Sequence, residues 1–402
     1  MLFPSSAIHV PRTDWADTLR ARALQVPSTA MDERACLDAF RRHDAFYAGR
    51  LADVSGWHGI PPLQKIELAA VPVTTTDELH ETRSSGTSGT QAVVRNTLRE
   101  RRFRQALAYR PFLFYPLVPE SGKEIRQVIF VDGNAIEAVD KSQWPFEFGG
   151  HAFLTWHVGI AAAPAAIHAL LQAVKPQVLR GLTSGLIRFA EQAAQPLQDL
   201  GVQVVSPSGE QLTDAWRHTL EAAFAAPVLD RYGATETGSL AWQCPYCDAY
   251  HVNSDEIIVE SNEQGVLATP LFIESQPLLR YQLEDRIELA AAPSDCRIGL
   301  PVMKILAARR DDWIIDGAGL KVSPLSFQFE QIAGLKAWQL HQLSSGTLRL
   351  YVDSERPLAT IREQLTAQLH NIVAGRDCEL VEGVWSAERG GKFKRVTSAF
   401  SR

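Results

Sequence analysis

Four clusters of residues in this chain have types and spacings suited to chemistry. Ser84, Ser85, Gly86, Thr87, Ser88, Gly89 and Thr90 are seven consecutive small residues, five of them hydroxylic. Such a run buries almost no apolar area. Its hydroxyl and amide N–H groups can hydrogen-bond to phosphate oxygens, and its glycines let the backbone approach a ligand. A flexible Ser/Gly linker has the same composition, so the run alone leaves both readings open. Tyr232, Gly233, Ala234, Thr235 and Glu236 follow a strand-like stretch. They put a hydroxyl and a carboxylate at a strand end, and a plain strand-to-loop turn looks alike. Cys244-Pro-Tyr-Cys247 with His251 four residues on has the Cys-x2-Cys spacing of a zinc knuckle. Near the C-terminus, Gly390-Gly391-Lys392 puts a cation on a flexible loop or in a basic tail.

The elements that position these groups read as follows. A 402-residue chain is too long for one small core and predicts a large domain plus a smaller one. Apolar patterning alternates strands and helices from 127 to 232. Strand-like Gln127–Asp132, Pro176–Arg180, Val202–Val205 and Val228–Tyr232 alternate with helix-like Ala161–Val174, Thr183–Leu197 and Glu210–Ala225. That alternation predicts an α/β domain with a largely parallel sheet. From about 252 the pattern changes to short strands. Roughly 310–402 reads as a small α+β domain with a strand at Leu348–Val352 and a helix at Ile361–Val373. The arginine-rich stretch Leu98–Arg110 reads as a solvated helix.

Composition excludes several classes. A net charge of −6 argues against a general nucleic-acid binder or a polybasic membrane anchor. Five cysteines, an odd number, do not make a disulfide framework and favour a reducing, cytoplasmic setting. Phe153–Val174 lacks Asp, Glu, Lys and Arg, which would permit a membrane span by length. Its proline, two histidines and glutamine instead predict a buried strand and helix.

Five motifs occur in one order. They are Ser84–Thr90, Tyr232–Glu236, Arg280-Tyr-Gln-Leu-Glu-Asp285, Arg309-Arg-Asp-Asp312 and Gly391-Lys-Phe-Lys-Arg395. Together they resemble the adenylate-forming superfamily of acyl-CoA synthetases, adenylation domains and luciferases. The nearest branch is that of phenylacetate–CoA ligases and acyl-protein synthetases. The resemblance implies a large N-terminal domain, 1–309, and a small mobile lid domain, 310–402. It assigns 84–90 to the phosphates of ATP, Tyr232 to the adenine, and Gly233 and Ala234 to the same ATP/AMP-binding site. Thr235 falls to the α-phosphate, Glu236 to Mg²⁺, and Ser208, Gly209 and Glu210 to the adenine edge. Asp285 and Arg309 fall to the ribose, Asp311 and Asp312 to the hinge, and Lys392 to catalysis. Some relatives in this branch also carry cysteines before the hinge, which adds Cys296 to Cys244, Cys247 and His251 as a structural Zn²⁺ set. The acyl pocket would lie between Trp144–His151 and Ala234.

Two departures stand out: Thr90 replaces a lysine common in the first motif, and Glu284 replaces a glycine in the third. The implied activity is ATP-dependent activation of a small-molecule carboxylic acid, an aryl acid favoured, as its acyl-adenylate. The acceptor would be CoA, a phosphopantetheine thiol on an acyl carrier protein, or an amine, and a partner enzyme is one setting for it. The alternative is a catalytically weak nucleotide-binding homologue acting as scaffold or sensor, which those two departures motivate.

Overall fold

A computed structural model of the chain describes residues 7–25, 33–83, 92–131, 136–137, 145–210, 212–307, 313–322, 326–327, 329, 332–383 and 396–400. Ser84–Thr90, Trp144, Arg309, Asp311, Asp312 and Lys392 lie outside the described residues.

Five strands form the middle of the largest sheet. His151–Gly159, Glu124–Val131, Val178–Leu182, Val204–Ser208 and Arg231–Ala234 lie side by side and parallel. Parallel neighbours need crossover connections, and three helices supply them: Pro164–Val174, Thr183–Gln192 and Asp214–Phe224. Each packs through a stripe at helical spacing. Ile167, His168, Leu171 and Val174 are buried on the first, and Leu186, Ile187 and Phe189 on the second. These rings and branched chains share one core with Val128, Phe130 and Val205.

Beyond Arg231–Ala234 the sheet continues antiparallel through Gly238–Gln243, Tyr250–Val252, Val302–Ala307 and Arg286–Ala290. A separate three-stranded antiparallel sheet joins Ile257–Asn262, Gly265–Pro270 and Tyr281–Leu283. The change from parallel to antiparallel pairing comes near residue 235, earlier than the change to short strands expected at about 252, because Gly238–Gln243 already folds back antiparallel on Arg231–Ala234. The C-terminal unit has its own four-stranded sheet, ordered Cys378–Glu382, Leu348–Ser354, Leu335–Gln342 and Val396–Ser398. Helix Leu358–Ile372 covers it, and a core around Trp338, Leu350, Ile361 and Leu365 belongs to this unit alone. A large α/β domain followed by a smaller α+β domain is therefore the architecture.

Phe153–Val174 resolves into most of one strand and one crossover helix, both packed in the core. Among the described residues no helix is long and apolar enough to cross a membrane.

One expectation is corrected. Helix Leu98–Tyr109 is not a solvated helix: Phe103, Ala106, Leu107 and Tyr109 are buried in the main core. A capping box starts it, with the Thr97 hydroxyl accepting from Glu100 N and the Glu100 carboxylate accepting from Thr97 N. Glu100 is itself buried and also accepts from Glu274 N and Ser275 N at 2.7 and 2.8 Å. The arginines misled because a basic helix can still bury a narrow apolar stripe. Arg101 is exposed, whereas Arg104 turns inward to the site described next.

Candidate active site

In open α/β sheets the crevice outside the carboxyl ends of the parallel strands is where ligands bind. Three expected segments meet there. Ser208 ends one parallel strand, Tyr232–Ala234 ends the next, and Thr235 and Glu236 form the turn that follows. Gly233 has to be glycine, because a Cβ there would come within 2.2 Å of the Gly238 carbonyl oxygen.

Side chains from motifs about fifty residues apart in sequence touch across this crevice. The Tyr232 hydroxyl donates to Asp285 Oδ2 at 2.9 Å, and the Tyr281 hydroxyl donates to Glu236 Oε1 at 3.2 Å. Glu236 is buried, with 6% exposure. Its carboxylate is compensated by the Tyr281 hydroxyl and by the nearby Arg104 charge. Arg104 holds the turn from below. It donates to the carbonyl oxygens of Thr235 and Glu236, the latter at 3.0 Å. Burial lowers the Arg104 pKa to about 10, while the Glu236 charge pulls it back up. Sequence reasoning missed this residue. The Thr97–Glu100 capping box would have located its helix, but nothing local marks the contact with residue 235.

The third motif divides. Tyr281 and Asp285 face the crevice residues, but Arg280 is spent on structure. Its guanidinium pairs with both Glu260 oxygens at 3.0 Å and donates to the Ile60 carbonyl at 2.6 Å. Glu284 is exposed and is not among the residues with positive φ, so a side chain costs nothing there. Ser208 Oγ accepts from Arg231 Nη2 at 3.2 Å. The Glu210 carboxylate accepts from Ser184 N at 2.7 Å and from Ser184 Oγ at 3.0 Å, and so caps the helix starting at Thr183. Phe146 and Phe148, expected near the acyl pocket, are buried against Tyr109 in the main core, with ring centroids 5.0 and 6.4 Å away. His151 packs against Phe153, and Ala234 is half-buried at the strand end.

The cysteine–histidine set converges. The candidate ligand atoms of Cys244, Cys247, His251 and Cys296 all lie within 4.8 Å of one another. Cys296 Sγ is 3.6 Å from both other sulfurs and 3.3 Å from His251 Nε2, and Cys247 Sγ is 3.8 Å from that nitrogen. Tetrahedral zinc with Zn–S of about 2.3 Å and Zn–N of about 2.0–2.1 Å requires S···S near 3.8 Å and S···N near 3.6 Å. The set fits. His251 Nδ1 lies 2.7 Å from the Leu300 carbonyl oxygen, which makes it the protonated nitrogen and leaves the Nε2 lone pair facing the sulfurs. Tyr246 N and Ile298 N donate to Cys244 and Cys296 at 3.3 and 3.5 Å. Burial pushes the Cys244 and Cys247 thiols up and the His251 imidazole down. Cys36 and Cys378 pack in other clusters.

A structure of 2-hydroxyisobutyryl-CoA ligase in the postadenylation state with 2-HIB-AMP superposes on this chain with a TM-score of 0.70. It covers 97% of this chain and 90% of the ligase at 18% identity. The fold is that of the adenylate-forming ligases. The anthranilate CoA ligase in complex with anthranoyl-AMP shares it at a TM-score of 0.57 and 15% identity, over 79% of this chain and 65% of that one. The benzoate CoA ligase of Burkholderia xenovorans LB400 shares it at 0.53 and 16%, over 80% and 68%. No protein-family model matches the chain. Protein CapK of Staphylococcus aureus is 28% identical over 134 residues, which is 30% of this chain and 28% of that protein.

Proposed function

We propose that this protein activates a carboxylic acid with ATP as its acyl-adenylate and then passes the acyl group to the thiol of coenzyme A. The observation that carries the reading is the convergence of Tyr232 on Asp285 and of Tyr281 on Glu236 at the carboxyl end of the parallel strands. In the first half-reaction a carboxylate oxygen attacks the α-phosphorus, an O–P bond forms, and pyrophosphate leaves. In the second, the thiolate attacks the acyl carbon and AMP leaves. Negative charge builds on phosphate oxygens in the first step and needs fixed donors.

The Tyr232 ring offers a face for the adenine, and the two Asp285 oxygens can accept the ribose hydroxyls. The Thr235 hydroxyl, on a turn held by Arg104 through two carbonyl oxygens, would donate to the α-phosphate. Glu236 would hold Mg²⁺, which supplies charge neutralisation for the phosphates. The loop 84–90 would cradle the phosphates through amides and hydroxyls. With Thr90 in place of a lysine, cationic help falls to Lys392, brought in by the small domain, 310–402, after a hinge at Arg309–Asp312. A neighbour with this fold has been captured with 2-HIB-AMP and CoA, which supports CoA over a carrier-protein thiol or an amine. Cys244, Cys247, His251 and Cys296 would hold a structural zinc. Four protein ligands leave no open position, so it takes no part in the reaction.

Incubation with ATP, Mg²⁺ and a panel of carboxylic acids, followed by mass spectrometry, tests this reading. It predicts an acyl-adenylate with at least one acid and its loss on addition of CoA. ATP left intact with every acid would favour the scaffold alternative.

A further inference from the structure

Beneath the crevice two guanidinium groups share one face of the parallel sheet. Arg180 lies directly across from Ser206, and Arg231 directly across from Ser208. Residues 206 and 208 of one strand point to the same face, so all four side chains do. Arg231 leans back across the intervening strand toward Arg180, with Nε donating to Ser206 Oγ at 3.0 Å and Nη2 to Ser208 Oγ at 3.2 Å. Its third contact is the Ala108 carbonyl at 3.5 Å. Arg180, only 6% exposed, donates to Gln127 Oε1 at 3.3 Å and lies 4.4 Å over the Tyr109 ring. The Arg180 Nε has no hydrogen-bond partner.

Among the described residues neither guanidinium has a carboxylate within ion-pair distance. The nearest acid in sequence, Asp230, is outside ion-pair distance and offsets the Arg231 charge only in part: its oxygens accept from the Tyr250 hydroxyl at 2.6 Å and from Arg231 N at 2.7 Å. Two other buried arginines of this domain are each paired with a carboxylate. Arg110, fully buried, holds both oxygens of Asp255 at 2.7 and 2.9 Å, and Arg280 holds both of Glu260. Two neighbouring like charges with only neutral partners are costly in a low-dielectric interior. Burial lowers the pKa of both, and for Arg231 the Arg180 charge adds to the effect. Such a pair is compensated by an anion whose two oxygens match the guanidinium fork.

The position says which anion. Ser208 closes its strand at the carboxyl end and Arg231 lies directly across from it, so the pair lies at the crevice end of the sheet, on the face opposite to the Tyr232 side chain. Arg231 itself keeps partial exposure. We propose that Arg180 and Arg231 receive a second anionic group of the acid substrate, which makes dicarboxylic acids, with one carboxylate remote from the reacting one, the substrate class. This inference rests on the adenylation reading and deepens it. An acid lacking the second carboxylate leaves both cations uncompensated, and a site built around polar groups rejects such analogues strongly.

The test is ATP–pyrophosphate exchange with matched pairs, isophthalate against benzoate and glutarate against butyrate. The dianionic member is expected to exceed its monoanionic match in kcat/KM by on the order of a hundredfold. In Arg180→Met and Arg231→Met that ratio falls to near one. A ratio near one in the wild-type protein, or a ratio that both variants preserve, overturns the proposal and leaves adenylation standing. If either variant fails to fold by circular dichroism, the wild-type ratio decides. If no acid supports exchange, adenylation fails instead, and calorimetry with isophthalate alone settles the anion site: binding lost in Arg231→Met supports it, and no binding to the wild type overturns it.

Discussion

Replacing Cys296 by serine is expected to empty the metal site and to loosen the sheet edge that it joins. Cys244 and Cys247 come from the turn after strand Gly238–Gln243, and His251 from the next strand. Cys296 comes from the connection between Arg286–Ala290 and Val302–Ala307, the two strands that end the sheet. A bound zinc therefore ties that connection to strands two and three places further in. An oxygen at 296 is a poorer zinc ligand and leaves a three-coordinate site. If free zinc stands about a thousandfold above the dissociation constant, binding contributes about 4 kcal/mol. In a chain of this size that is worth roughly 1.2 °C per kcal/mol, or about 5 °C. Elemental analysis of protein purified without chelator predicts about one zinc per chain for the wild type and well under half for Cys296→Ser. Calorimetry predicts a drop of several degrees for the variant, and a similar drop when the wild type is treated with a chelator. A wild-type chain without zinc, or a variant that retains it in full, would refute the reasoning. So would a transition that a chelator leaves unmoved.

Other expectations follow from buried groups that sequence reasoning did not single out. Arg104→Gln removes a buried cation that holds two carbonyl oxygens of the 235–236 turn, and loss of charged hydrogen bonds of this kind costs about 2–3 kcal/mol. That predicts a fall in kcat/KM for ATP of roughly thirtyfold to over a hundredfold, checked by initial rates. A fall of less than threefold in a folded variant would count against the role. Asp230 has its pKa raised from 3.8 to about 6 by burial. The folded state thus binds the proton more tightly than the unfolded chain. The stability from this group is full below about pH 4 and is lost as pH rises toward 6, by about 3 kcal/mol. Denaturant midpoints measured from pH 4 to 7 predict that Asp230→Asn lacks this decline relative to the wild type. Parallel curves would show that the burial of Asp230 does not govern its proton.

How much was legible in the sequence depended on how local the signal was. The alternation of parallel strands and crossover helices was readable because each element announces its own period, although strand ends shifted by a few residues, as at Arg231–Ala234. Cys244, Cys247 and His251 were readable because their ligand spacing lies within eight residues. Tyr232–Glu236 and Asp285 were readable as short motifs. Arg104, Arg180 and Arg231 were not, because what they do depends on cross-strand register and on a helix packed from another part of the chain. Glu210 shows the same limit from the other side. A Gly-Glu pair at a strand end looks like a ligand segment, yet its carboxylate caps a helix twenty-six residues upstream.

The central claim is chemical: a carboxylate attacks the α-phosphate of ATP and pyrophosphate leaves reversibly. The most direct measurement is acid-dependent exchange of labelled pyrophosphate into ATP, run on the wild type and on Lys392→Ala. The account predicts exchange that requires both a carboxylic acid and Mg²⁺, falling by a hundredfold or more, in order of magnitude, in the variant. Exchange absent with every acid, or undiminished without Lys392, would contradict it.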